Sequence, residues 1–302
     1  MRTTRRVWII YRDEGRGEKV ERGAEEGREK LKEPVAVVGS SGLRSVGRIV
    51  VDELVAKTQP KPRLLAELFS YGFPAAYYGP SYLGAPCGVG AKLERGGLAR
   101  LPSVEFYALE SAGSGESDIL ITRGYQSYNA LNQYAVADKV ADFFKELGVK
   151  RVISLGAQVV EEGITDCATD LELLEEMYKY EIKRTNVDRF LGFPGLVVAL
   201  AREKGIGGVC LFASTTPNLA NPEYPDFRAA KELAGKVGEI LGIEIDTSEL
   251  EERGTAEREL IEGMGKGEER EGEGEEGEGG EGEGGEGARK RGQEREDLRG
   301  YV

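Results

Sequence analysis

The sequence predicts an α/β protein: a mostly parallel sheet with helices on both faces, followed by a disordered C-terminal tail. Three observations predict it. Short continuous apolar runs end at glycine, as in Val35-Ala36-Val37-Val38-Gly39, a pattern that suits strands buried on both faces. These runs alternate with stretches of helical apolar spacing, which favours parallel strands joined by helical crossovers. The third is the segment Glu268–Gly287, which holds ten Glu, nine Gly and one Arg. Nothing in it can be buried to offset roughly 1–2 kcal/mol per residue of backbone ordering entropy. Its like charges also favour extended chain.

Taken in order, Val7–Tyr11 reads as a short strand and Asp13–Lys32 as a charged, Gly-rich loop. After the strand at 35–38, apolar residues at 43, 46, 50, 54 and 55 mark a helix over Leu43–Ala56. Leu64–Phe69 reads as a strand, and Tyr71–Leu101 as irregular structure or short hairpins, being rich in Gly, Pro and Tyr. Val104–Leu109 and Asp118–Thr122 read as strands. A helix over 132–147 places Tyr134, Ala137, Val140, Ala141, Phe144 and Leu147 on one face, with Gly148 closing it. Arg151–Gly156 reads as a strand ending in glycine, and Asp170 as the cap of a helix over 171–179. Helix over Gly195–Lys204, strand over Gly208–Ala213, helix over Arg228–Leu241 and a charged helix over Ser248–Glu262 follow. Residues 1–32 therefore form an N-terminal strand and loop, 33–262 a single large domain, and 263–302 a tail.

Composition narrows the function. The net charge is −13, of which −6 lies in Gly265–Val302 (13 acids against 7 bases), leaving −7 on the body. That balance argues against nucleic acid or an anionic membrane as partner. No apolar run reaches the ~18 residues that span a bilayer, and no secretory apolar region follows the Arg-rich start, so a cytoplasmic location is expected. Cys87, Cys167 and Cys210 are far apart in sequence and do not show a metal-ligand spacing. Cys210 sits inside an apolar run and reads as a small core residue. The chain has no histidine, which excludes Ser-His-Asp and Cys-His catalysis and histidine metal ligands. No cofactor is expected, and no catalytic set is recognisable.

Three segments are candidates for binding. Gly39-Ser40-Ser41-Gly42-Leu43-Arg44-Ser45-Val46-Gly47 sits between a strand and a helix start, where phosphate-binding loops sit. It departs from the dinucleotide pattern at Ser41 and Arg44, and from the Walker pattern at Arg48 and Ile49. The leading reading is close helix–sheet packing, and the alternative is an anion site. A crevice at the strands' C-terminal ends would gather Arg123, Gln158, Glu161, Glu162, Thr165, Asp166 and Ser214–Thr216. A hydrolase or small-ligand site there is the rival to a non-enzymatic reading, and it requires carboxylates of shifted pKa beside Arg44 or Arg123. The aromatic stretch Phe69–Tyr82 is a candidate interface.

Several segments, in order, resemble the archaeal branch of the proteasome assembly chaperone (PAC) family. They are Val37–Gly47, Glu67–Pro74, Leu101-Pro102, Lys145–Val149 leading into Ile153–Gly156, Ala168–Asp170, Gly192–Leu196 and Leu241–Asp246. The match spans roughly residues 33–262. The resemblance implies a phosphorylase/hydrolase-like α/β fold, homo-oligomers, no established catalytic residues, and proteasome α-subunits as partners. Some members of that family end in a hydrophobic residue, a tyrosine and any residue, a triplet that inserts into pockets of the 20S α-ring. Here Tyr301 holds the penultimate place and Val302 the last, while Gly300 stands in place of the hydrophobe and Leu298 lies two positions early. A terminal carboxylate can pair with a pocket lysine while the tyrosine fills an apolar slot. Leu298, Gly300, Tyr301 and Val302 are accordingly the expected partner-binding residues.

Overall fold

The computed structural model describes residues 7–11, 31–70, 73, 75–78, 87–90, 92–93, 97–111, 117–124, 130–159, 163–187, 192–218 and 224–256. The chain divides into two units, Met1–Leu250 and Glu251–Val302, and the elements that follow lie in the first. β1 (Val7–Tyr11) and β2 (Val35–Gly39) precede a 3-10 turn over Leu43–Ser45 and α1 (Val46–Lys57). Next come β3 (Arg63–Ser70), the short pair β4 (Ala75–Tyr78) with β5 (Cys87–Gly90), and the short pair β6 (Lys92–Leu93) with β7 (Ala99–Arg100). β8 (Val104–Leu109) and β9 (Ile119–Arg123) lead to α2 (Ala130–Glu146). β10 (Arg151–Gln158), β11 (Ile164–Ala168), α3 (Leu171–Tyr178) and β12 (Lys183–Arg184) follow. α4 (Phe193–Glu203), β13 (Gly207–Ser214) and α5 (Phe227–Leu241) complete the set.

Among the described residues the main sheet has nine strands in the order β1-β3-β8-β9-β2-β10-β13-β11-β12. Parallel pairing runs through β9, β2, β10 and β13, as the apolar runs predict. β8, β3 and β1 extend one flank antiparallel. β11 extends the other antiparallel to β13, with β12 parallel beyond it. Connection length explains one of these steps. A parallel step needs a crossover long enough to carry a helix, and the short link between β8 and β9 allows only an antiparallel neighbour.

Helices cover both faces, as expected: α2 and α4 lie on one, α1, α3 and α5 on the other. The alternation of strand side chains divides the core accordingly. Val38 points into the first face, where the Phe106 ring lies 4.4 Å from Phe143 and 6.4 Å from Phe144. Val37 points into the second, among Val50, Leu54 and Leu155. Lys204 joins the two helices of the first face, with Nζ 2.8 Å from carboxylate oxygens of both Asp138 and Asp142.

Two expectations need correction. Tyr134 is not on the buried face of α2; it is 54% exposed, while Val136 and Phe143 are buried instead. The buried stripe is centred on Ala137, Val140, Ala141 and Phe144, and it turns Tyr134 to solvent. Gly156 does not end β10, which continues to Gln158. A Cβ at Gly156 would stand 3.2 Å from Phe212 Cδ1, so this glycine makes room for a ring on the neighbouring strand. Gly148 does close α2, at φ 74°.

Candidate interaction surface

At the strand C-terminal edge, where the sequence places an anion loop or a catalytic crevice, the described residues that follow are engaged by the protein's own contacts. A side chain at Gly39 would collide with the Gly47 carbonyl, and one at Gly47 with the Leu155 carbonyl. The two glycines therefore let α1 lie directly on β2 and β10. Arg44, buried and at φ 54°, donates to three backbone carbonyls: Tyr224 at 2.7 Å, Thr216 at 2.8 Å and Pro225 at 3.1 Å. It clasps the two ends of the link between β13 and α5.

Arg123 is also engaged. It donates to Asp52 Oδ1 at 2.5 Å and to Glu105 Oε2 at 2.9 Å, while Arg48 reaches the same Asp52 oxygen and the Gly124 carbonyl. Burial works against the Arg123 charge, but its two carboxylates hold its pKa above the usual range. Tyr107 donates to Glu105, and burial followed by that carboxylate pushes its hydroxyl pKa up. Thr215 donates to Asp226, whose other oxygen caps α5 at Ala229 N. The Gln158 side-chain oxygen accepts from Thr185 at 2.7 Å.

Thr165 and Asp166 belong to β11 rather than to a loop, which corrects the sequence reading of that segment. The Asp166 carboxyl is buried, and among the described residues neither of its oxygens has a hydrogen-bond partner. Burial raises its pKa to about 6, with Arg184 pulling it back. It is the carboxylate of shifted pKa that the enzyme reading calls for, yet it stands beside neither Arg44 nor Arg123. Glu161, Glu162, Leu298, Gly300, Tyr301 and Val302 lie outside the described residues, as do Tyr125–Asn129 and Glu268–Gly287. In the aromatic stretch, Phe69 and Phe73 are buried core residues.

The opposite situation holds at the sheet edge beyond β13. Asp170 starts α3 by accepting from Leu173 N at 3.0 Å, with Glu172 in the first turn. Met177 and Ile182 turn inward and are buried. Leu171 and Tyr178, seven residues apart on the outer stripe, are 66% and 74% exposed. A cavity of about 370 Å³ lies between α3 and β12, lined by Leu174, Glu175, Tyr178, Ile182, Lys183 and Arg184. β12 is the last strand of the sheet, and both its side chains are exposed. The remaining α3 carboxylate is committed inward: Glu176 takes both terminal nitrogens of Arg151 at 2.6 and 2.9 Å. The sequence reading found the capped helix but not its bare stripe. The signal was there, in Leu171, Leu174 and Tyr178 at helical spacing on one side of Met177.

A second cavity, of about 480 Å³, opens at the strand N-terminal ends beside Val35, Ile119, Ile153, Ile240 and Ile243. It lies at the edge opposite the predicted crevice.

This is a doubly covered α/β sheet in which, among the described residues, Arg44, Arg123, Gly39 and Gly47 at the usual ligand edge are engaged within the fold, while the side edge carries exposed apolar side chains. The chain belongs to the PAC2 family, whose model matches residues 36–264. It is similar to Pyrococcus furiosus PbaB, described as an archaeal proteasome activator. That match has TM-score 0.66 and 22% identity, and covers 85% of this chain and 98% of PbaB. It is also similar to Pyrococcus furiosus PbaA, described as an archaeal homolog of proteasome-assembly chaperone, with TM-score 0.61, 17% identity and coverage of 80% and 91%. Uncharacterized protein MJ1210 of Methanocaldococcus jannaschii is 28% identical over 247 residues, covering 80% of this chain and 86% of that one. Among the described residues no helix is long and apolar enough to cross a membrane.

Proposed function

We propose that this protein is a non-enzymatic, proteasome-assembly-chaperone-like factor. It self-associates through the α3–β12 edge and engages 20S proteasome α-subunits through Leu298, Gly300, Tyr301 and Val302. The observation that carries the reading is the contrast between edges: Arg44 and Arg123 are tied into the fold, while Leu171 and Tyr178 stand bare. The family, and the proteasome connection of PbaA and PbaB, supply the direction.

The edge suits a second copy of the chain. Under a two-fold axis each copy would offer Glu172 and Glu175 to Lys183 and Arg184 of the other, around a shared apolar stripe. The tail suits a docking role. Residues 263–302 form a spacer of about forty residues that spans roughly 35 Å on average if it behaves as flexible chain. Several such tails on one oligomer would bind several α-subunits at once, so weak individual contacts gain avidity.

The test is a pull-down of archaeal 20S α-subunits with the intact protein and with a variant lacking 300–302. Recovery by the intact protein and loss in the variant is expected. Equal recovery would remove the tail from the mechanism, and no recovery by either would remove the proteasome.

A further inference from the structure

Two of the chain's three cysteines, distant in sequence, are brought face to face by the sheet. Cys167 on β11 is the register partner of Cys210 on β13. The bonds from Thr169 N to the Gly208 carbonyl and from Ser214 N to the Gly163 carbonyl flank the pair symmetrically. Counting inward from either, Cys167 and Cys210 occupy a hydrogen-bonded position of the antiparallel ladder. Cα atoms at such a position lie about 5.5 Å apart, inside the range of disulfide-bonded cysteines, but the Cβ atoms, also about 5.5 Å apart, must close by roughly 1–2 Å, so a bond here is strained and readily reduced. Directly opposed residues also point to the same face, here the face covered by α4. Both thiols are free.

The two sulfurs differ in a way that divides the chemistry. Cys167 is partly exposed and Cys210 wholly buried. The neighbouring Cys210 thiol holds the Cys167 pKa below its ordinary range although burial opposes this. The nearness of Cys167, with burial, pushes Cys210 well above it. Cys167 is thus the more exposed of the two residues, and the one more readily ionised.

We propose that Cys167 and Cys210 form a reversible dithiol–disulfide site oxidised by hydroperoxides. The Cys167 thiolate attacks a peroxide oxygen; the O–O bond breaks, Cys167 becomes a sulfenic acid, and the displaced hydroxide (alkoxide, for an organic peroxide) leaves protonated. The Cys210 thiolate then attacks the Cys167 sulfur. The S–S bond forms, the S–O bond breaks, and hydroxide takes up a proton to leave as water. Two thiols are oxidised by two electrons and one peroxide is reduced. A dithiol reductant reverses the change. The bond staples β11 to β13, and so fastens the strand that carries α3 and β12 beyond it.

The experiment treats the intact protein with hydrogen peroxide, quenches it, unfolds it with an alkylating maleimide present, and maps peptides by mass. Expected are a Cys167–Cys210 linked peptide two hydrogens lighter than its parts, no label on either residue, and return of both labels after dithiothreitol. In Cys210→Ala, Cys167 should instead accumulate as sulfinic acid, because its resolving thiol is gone. Three results would overturn the proposal: both cysteines fully labelled after peroxide, Cys167 over-oxidised while Cys210 is labelled in the unmutated protein, or Cys167 linked between chains.

Discussion

The two ends of the sheet treat polar and apolar groups in opposite ways. At the strand C-terminal edge, Arg44 meets three carbonyls, Arg123 two carboxylates, and Gly39 and Gly47 let α1 sit flat on the strands. At the α3–β12 edge, large apolar side chains remain in water and a short strand ends the sheet. In many open α/β sheets the first edge binds ligands. Here the described arginines and glycines of that edge hold the fold, while Leu171 and Tyr178 at the second edge stay exposed. A glycine-rich turn after a strand is therefore no guide to a ligand until its neighbours are known. The same glycines serve close packing or anion capture, depending on what fills the space beside them.

The contrast can be broken most sharply at Gly47. Gly47→Ala drives a methyl group into the Leu155 carbonyl, and a loss of at least about 3 kcal/mol in urea unfolding is expected. An unchanged midpoint would mean that the edge has room after all. Arg44→Met comes next. It removes a buried cation and leaves the Tyr224, Thr216 and Pro225 carbonyls without that donor, for an expected loss of about 2–4 kcal/mol.

Asp166 yields a smaller effect that depends on pH. Its folded pKa, about 6, lies above its ordinary value of 3.8. The folded state thus binds the proton more tightly, so this contribution to stability is full below pH 3.8 and lost as pH rises through 6. The loss is of order 1–3 kcal/mol. Asp166→Asn should flatten the dependence of melting temperature on pH across that window, and an unaltered slope would assign it to other groups. The smallest expected effect on stability is at the far edge. Tyr178→Glu should change unfolding free energy by no more than about 0.5 kcal/mol, yet reduce self-association in sedimentation. A stability loss without a change in association would make Tyr178 a packing residue.

Much of this was legible in the residues because local rules dominated. Val35–Val38 announces a strand buried on both faces, and Asp170 announces a helix start. What failed in the sequence reading failed for lack of neighbours. Tyr134 lay within reach of the α2 apolar stripe, but the face that packs on the core runs through Val136, Ala137, Val140 and Phe143 and leaves it exposed. Asp166 looked like a loop carboxylate because β11 is an edge addition, paired to a strand more than forty residues later. Nothing local marks such a pairing.

The α/β class, the helices on both faces, the absence of histidine chemistry and the Gly/Glu composition of the tail were determined by sequence alone, because periodicity and composition are properties of neighbouring residues. The antiparallel flanks, the closing of the Gly39–Gly47 turn, the bare stripe of α3 and the meeting of Cys167 with Cys210 were decided only by tertiary structure. Each depends on which distant segments share a sheet edge, and that is settled by packing the whole core rather than by any one segment's preference.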